Sequence, residues 1–266
     1  MSRRLRFEKW EGLGNDFVVV PFDPSLELDA ATVRAVCDRR TGVGGDGMLL
    51  VDRPRGGPPR MVVRNADGSR PQMCGNGLRC VAAWLLPKGG ELVIETDAGE
   101  RCCAVEPGEC GFSVRVGMGA ARFGDGLEVE VAGEHHRFAT VDVGNPHAVT
   151  FEHYDEASID RIGPVGSVAP PGGYNVEFCR VRGGADHPDR IDVIVWERGV
   201  GRTLACGTGA CAVAAEACRS GRARWGEPIT IGLPGGELSI VVHEGAREIS
   251  MRGPARRAFE GELELP

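Results

Sequence analysis

The stretch MCGNGLRC, residues 73–80, sets a cysteine directly before a Gly-Asn-Gly turn and an apolar run, and LACGTGAC, residues 204–211, repeats the arrangement. Aligned over ten residues, CGNGLRCVAA and CGTGACAVAA agree at six positions, and Cys74 and Cys206 stand 132 residues apart in a chain of 266. Spacing of nearly half the chain points to an internal duplication.

Working outward, each copy sits in the same order of elements. The first half reads as strands at 4–9 and 17–20, a helix over 29–40 with Asp29 at its N-cap, and strands near 48–52 and 60–65. The turn Asn65-Ala66-Asp67-Gly68, Cys74 and an apolar helix ending before Pro87 follow, then alternating segments at 91–97, 100–105 and 112–117. The second half reads as strands near 127–131, 136–143 and 147–151, a short helix capped by Asp155, and strands near 174–182 and 190–197. Cys206, an apolar helix stopped at Gly221, and strands near 228–232, 237–243 and 247–252 complete it.

The expected fold is α+β. Two pseudo-symmetric lobes arise from the duplication, each a curved, mainly antiparallel, barrel-like sheet around a central helix. The lobes are expected at 1–119, carrying Cys74, and at 120–252, carrying Cys206. Residues from about 253 to 266 are expected to pack back on the first lobe, and Gly119–Gly126 is the first crossover.

A net charge of −7 with no basic block argues against a nucleic-acid partner and for a small-molecule ligand. No apolar run approaches the roughly 20 residues that span a bilayer, so a cytoplasmic protein without a membrane partner is expected. The ten cysteines include no Cys-x-x-Cys, so no metal site is expected, and most of them read as small buried apolar residues. Only Lys9 and Lys88 could form a Schiff base with pyridoxal phosphate. Their positions, a strand and a Pro-Lys-Gly-Gly turn, do not suggest it.

A cysteine at a helix start lies in the field of unpaired backbone N–H groups, which favours thiolate, and the same groups form a cradle for a carboxylate. Two such cysteines on facing lobes would suit inversion of a carbon stereocentre. One thiolate takes the α-proton from one face while the opposing thiol delivers a proton to the other. Ordinary helix-start cysteines left by duplication, or a disulfide, are the competing readings.

GLGNDFVVV (12–20), RRTGVGGDG (39–47), NADGSRPQMCGNGLRC (65–80), GNPHAV (144–149), YNVEF (174–178) and WERGVGRTLACGTGA (196–210) together resemble the diaminopimelate epimerase family, in order and over nearly the whole chain. The resemblance implies a cofactor-independent pair of acid/base thiols, Cys74 and Cys206, working without metal or pyridoxal phosphate. They would interconvert L,L- and meso-2,6-diaminoheptanedioate in lysine and peptidoglycan precursor synthesis, within a homodimer. It further implies carboxylate donors at Gly75, Asn76, Gly207 and Thr208. A polar address for the far end of the substrate would come from Asn15, Asn65, Asn145, Asn175 and Arg198, with Glu197 also touching substrate. His147 and Glu197 would be the auxiliary acid/base pair.

Three positions depart from the family pattern: Gly47 replaces a glutamine found in some members, Glu11 stands where many have histidine, and Thr208 where serine is also usual. A proline racemase-like enzyme of the same fold is the nearest alternative, and a thiol redox or metal-binding protein the alternative from another class. Three further signals carry little. GVGGDG (42–47) follows a helix and precedes a strand, the reverse of a dinucleotide site. Asp186-His187-Pro188-Asp189 reads as a hairpin loop rather than a metal cluster, and Cys102 and Cys103, adjacent in a strand, point to opposite faces.

Overall fold

A computed structural model of the chain describes residues 4–24, 28–183 and 188–265. In chain order the first half contributes β1 (Arg4–Gly12), β2 (Asn15–Pro21), α1 (Ala30–Cys37), β3 (Gly47–Asp52), β4 (Arg60–Asn65), α2 (Gly75–Leu85), β5 (Gly90–Thr96), β6 (Gly99–Gly108) and β7 (Gly111–Gly119). The second contributes β8 (Arg122–Phe123), β9 (Leu127–Val131), β10 (Glu134–Asp142), β11 (Pro146–Thr150), α3 (Glu156–Val168), β12 (Asn175–Gly183), β13 (Pro188–Glu197), β14 (Gly201–Thr203), α4 (Gly207–Arg219), β15 (Pro228–Leu233) and β16 (Gly236–Val242). β17 (Ile249–Glu264) ends the chain. These elements form two units, Met1–Val116 with Gly253–Pro266, and Gly117–Arg252.

Within the first unit β1 and β2 are antiparallel, β2 and β3 parallel, β3 and β4 antiparallel, β4 and β5 parallel, and β5, β6 and β7 antiparallel. The C-terminal part of β17 runs antiparallel to β1, from Arg4↔Glu264 to Glu11↔Arg256. Within the second unit the same series recurs: β10 and β11 antiparallel, β11 and β12 parallel, β12 and β13 antiparallel, β13 and β15 parallel, then β15, β16 and the start of β17 antiparallel. A parallel pair needs a crossover, and each of the four is bridged by a helix. The duplication read from two cysteine turns is thus written in the topology.

The helices divide into two kinds. α1 packs on β3, and α3 on β9, β12 and β13, while α2 packs against β1, β2, β3, β4 and β6, and α4 against β10, β11, β12, β15 and β16. Contact with that many strands requires the sheet to curl around α2 and α4. Their composition fits, since residues 75–83 of α2 are all buried and α4 is built largely of alanine, glycine and cysteine. Small side chains let the surrounding strands close on a helix. The expected α+β class, with a curved mainly antiparallel sheet around a central helix, describes both units.

Local chemistry sets the ends of the elements. Asp29 and Asp155 cap α1 and α3, accepting from the Thr32 and Ser158 N–H groups at 2.8 Å each. α1 stops at Cys37, short of the expected residue 40, because the Asp38 carboxylate accepts from the N–H groups of Arg40 at 2.9 Å and Thr41 at 2.6 Å. These bonds compete with helix continuation. β17 runs on through Pro254, whose carbonyl takes the Nε–H of buried Arg79 at 3.0 Å. Of the hairpin expected at 186–189, residues 186 and 187 lie outside the described part of the chain. Among the described residues no helix is long and apolar enough to cross a membrane.

Candidate active site

Cys74 and Cys206 are themselves the N-caps of α2 and α4. Their backbones match, at φ −138°, ψ 115° and φ −124°, ψ 109°. Each sulfur accepts from the N–H three residues on, Gly77 and Gly209, at 3.4 Å. The first intrahelical bonds follow one residue later, Leu78 N–H to Cys74 O at 2.8 Å and Ala210 N–H to Cys206 O at 3.0 Å. Helix geometry leaves the N–H groups of Gly75, Gly207 and Thr208 without an intrahelical acceptor, so each sulfur sits beside donors suited to a carboxylate. Cys74 is partly exposed and Cys206 is buried.

In the first unit Asn15 opens β2, Gly47 opens β3 and Asn65 ends β4, and the pairings Phe17↔Gly47 and Gly47↔Asn65 bring these ends to one edge. Asn15 Oδ1 lies 4.0 Å from Cys74 Sγ and accepts from Asn76 Nδ2 at 3.3 Å. Asn15 Nδ2 donates to Asp46 at 2.5 Å. Asn65 stands further out, its Nδ2 donating to Ser69 Oγ at 2.9 Å.

Behind Asn15 lies a charge network. Lys9 Nζ is buried, 2.7 Å from Asp16 Oδ2, and donates to the Gly44 carbonyl. Arg39 grips Asp16 at 2.6 and 3.1 Å and reaches Asp46 at 2.8 Å. Burial alone would raise the Asp16 carboxyl, but hydrogen bonds from Arg39 and Lys9 outweigh it and hold the group at about 2. GVGGDG is therefore part of a scaffold: its carbonyl holds a lysine, and a Cβ at Gly45 would stand 2.7 Å from that Nζ. The same bonds commit the amine of Lys9 to structure.

The second unit places its residues at equivalent edges. His147 and Asn175 are register partners in the parallel pair β11/β12, and Asn145 and Arg198 flank them. Asn175 Nδ2 donates to Pro146 O at 3.4 Å, its Oδ1 accepts from the Arg198 N–H at 3.0 Å, and the exposed Arg198 guanidinium donates to Gly172 O at 2.8 Å. Glu197 accepts from Thr203 Oγ1 at 2.7 Å, and Thr208 Oγ1 lies 3.5 Å from Cys206 Sγ.

His147 is fully buried. Its Nε2 faces Asn145 Oδ1 at 3.1 Å, and its Nδ1 faces Glu177 Oε1 at 2.6 Å. Glu177 was not among the residues expected to act, although it lies within YNVEF. Burial raises its carboxyl, the His147 interaction partly offsets this, and Glu197 adds to the rise. The expected thiolate preference at the helix start is overturned at Cys206. Burial first, then the Glu197 and Glu177 carboxylates, push this thiol well above the ordinary range, outweighing Thr208 and the Gly209 N–H. Among the described residues no group of three or more His, Cys, Asp or Glu could hold a metal ion, and all ten cysteines are free thiols.

A family model described as diaminopimelate epimerase matches residues 7–124 and 139–258. A diaminopimelate epimerase of Desulforudis audaxviator is 41% identical over 279 aligned residues, which cover 97% of this chain and 98% of the relative. The chain belongs to the diaminopimelate epimerase family. A second member, from Rhizorhabdus wittichii, is 40% identical over 278 residues, 98% of this chain and 96% of its own. Among solved structures, a hydroxyproline epimerase from Agrobacterium vitis matches with a TM-score of 0.74 over 98% of this chain and 91% of that one. At 15% identity that is a likeness of fold.

Gly47 stands where some members of the diaminopimelate epimerase family place a glutamine, and its surroundings leave no room for a side chain. A Cβ there would stand 2.5 Å from Arg64 O and 3.4 Å from Asn65 Cα, so a glutamine would require the β3/β4 backbone to shift. Glu11, at a second departure, is bound by Arg256 at 2.9 Å and accepts from the Gly14 N–H at 3.3 Å.

Proposed function

We propose that the chain interconverts L,L- and meso-2,6-diaminoheptanedioate by two-thiol proton transfer at the α-carbon. The observation that supports it most is the matched placement of Cys74 and Cys206 as N-caps, each beside helix N–H groups that have no intrahelical acceptor, in a chain that covers 98% of a diaminopimelate epimerase. In one direction a thiolate takes the α-proton. The C–H electron pair is left on the α-carbon and delocalises into the substrate carboxylate, and the other thiol gives its proton to the opposite face. The sulfurs finish with their protonation states exchanged. The helix N-termini at Gly75 and Gly207 would stabilise the carboxylate as it gains charge.

Asn15, Asn65, Asn76, Asn145, Asn175, Thr208 and Arg198 supply the polar contacts that a substrate charged at both ends requires, because neither charge can be buried unpaired. Arg198 suits the distal carboxylate. His147 and Glu197 modulate the thiols. The two units act as lobes carrying one thiol each, and the working form is a cytoplasmic homodimer without cofactor, which light scattering of the purified protein would test by mass.

The decisive assay follows exchange of α-hydrogen with solvent on diaminopimelate, proline and hydroxyproline. Exchange on diaminopimelate alone is expected. Activity confined to the two cyclic amino acids would replace this reading with a proline racemase-like one.

A further inference from the structure

The duplication allows the two half-sites to be compared position by position. Counting from Asn15, which opens β2, and from Asn145, which directly precedes β11, Phe17 and His147 each stand two residues on. Leu49 stands two after Gly47 in β3 as Glu177 stands two after Asn175 in β12. The helices confirm the match. A Cβ on Gly77 of α2 would meet Leu49 Cδ2 at 2.9 Å, and a Cβ on Gly209 of α4 would meet Glu177 Oε1 at 2.7 Å. The buried apolar pair Phe17 and Leu49 of one unit is therefore replaced by a buried His147–Glu177 pair in the other.

That replacement is costly. Two ionisable side chains, both with no solvent exposure, stand where a phenylalanine and a leucine suffice, and Glu177 Oε2 has no hydrogen-bond partner. Buried ionisable groups retained at such a cost mark functional positions. The groups facing Glu177 are His147 from β11, Glu197 from β13 and Cys206 at the start of α4. The position of a Cβ on Gly209 lies 2.7 Å from Glu177 Oε1 and 3.3 Å from Cys206 Sγ, so carboxylate and sulfur are neighbours across one glycine.

We propose that Glu177 is a positioning residue of the Cys206 half-site: it fixes the His147 ring through Nδ1 and sets its carboxylate against the Gly209 turn, so that Cys206 rests as a thiol, the proton donor. The role of a donor rests on the epimerase reading, whereas control of the thiol does not. The Cys74 half has Leu49 at the matching place and receives no such carboxylate from that position.

The test is a titration of the Cβ resonances of 13C-labelled cysteine in wild type, Glu177→Gln and the pair His147→Phe/Glu177→Leu, which copies the apolar arrangement of the first unit. The Cys206 signal is identified by its loss in Cys206→Ser. Removing the carboxylate is expected to move Cys206 ionisation down by about one pH unit or more, at least tenfold more thiolate at a given pH below the midpoint, with Cys74 unmoved. Glu177→Asp, which keeps the charge, is expected to return most of the shift. Superimposable Cys206 titrations in wild type and both variants overturn the proposal. If Glu177→Gln does not fold, the apolar pair His147→Phe/Glu177→Leu decides: a Cys206 titration that moves down supports the proposal, and one that superimposes on wild type overturns it. Because no substrate is present, a failed titration and a failed epimerase assay are separate results.

Discussion

Asp16→Asn removes the charge at the centre of the network behind Asn15. Lys9 is 6% exposed, and without the carboxylate 2.7 Å away its ammonium is left with the Gly44 carbonyl, a neutral acceptor. Breaking a buried ion pair on one side costs about 3–5 kcal/mol, because the remaining charge stays buried without compensation. For a unit of this size that corresponds to a fall in melting temperature of roughly 10–20 °C. The pH dependence identifies the cause. Asp16 titrates at about 2 in the fold against 3.8 unfolded, so its contribution is complete above about pH 4 and is lost as pH falls from 4 to 2. Integrated over that window it amounts to about 2 kcal/mol. Urea unfolding of wild type and Asp16→Asn at intervals between pH 2 and 6 measures it. The two stability curves are expected to converge as pH falls. Curves that stay parallel through that window would refute the assignment of this stability to Asp16.

Gly209→Ala places a methyl 2.7 Å from Glu177 Oε1 and 3.3 Å from Cys206 Sγ, so kcat is expected to fall at least about tenfold and stability by about 1–3 kcal/mol. Steady-state rates and thermal melts check both. Gly47→Gln restores the side chain found in some family members but collides with Arg64 O, and it is expected to lower the melting temperature without lowering KM. Thr208→Val removes the hydroxyl 3.5 Å from Cys206 Sγ, a contact that lowers this thiol, so the Cys206 titration is expected to move up.

The duplicated turn made the fold legible, because an extended cysteine, two glycines and an apolar run specify the same cap and central helix in both units. Asp29 and Asp155 were legible for the same reason: a cap is a local interaction. Glu177 was not. In an alternating strand a glutamate among apolar residues reads as facing solvent, but Asn175–Cys179 are all buried because β12 is packed by both α3 and α4. Burial on two faces removes the alternation on which the inference depends. The scaffold of Lys9, Asp16, Arg39 and Asp46 was equally hidden, since it joins residues from β1, β2 and the loop after α1 that meet only in the fold. The thiol at Cys206 failed for a third reason. A helix terminus lowers a pKa, but burial and two carboxylates, all tertiary, raise it further.

The central claim is that two thiols invert one carbon, each serving one face. Incubating L,L-diaminoheptanedioate with the enzyme in D2O and measuring the deuterium content of substrate and product at low conversion tests it most directly. The account predicts meso product carrying one deuterium at the inverted carbon, while recovered L,L substrate stays protiated. Product retaining its original hydrogen, or substrate exchanging faster than it inverts, would contradict it.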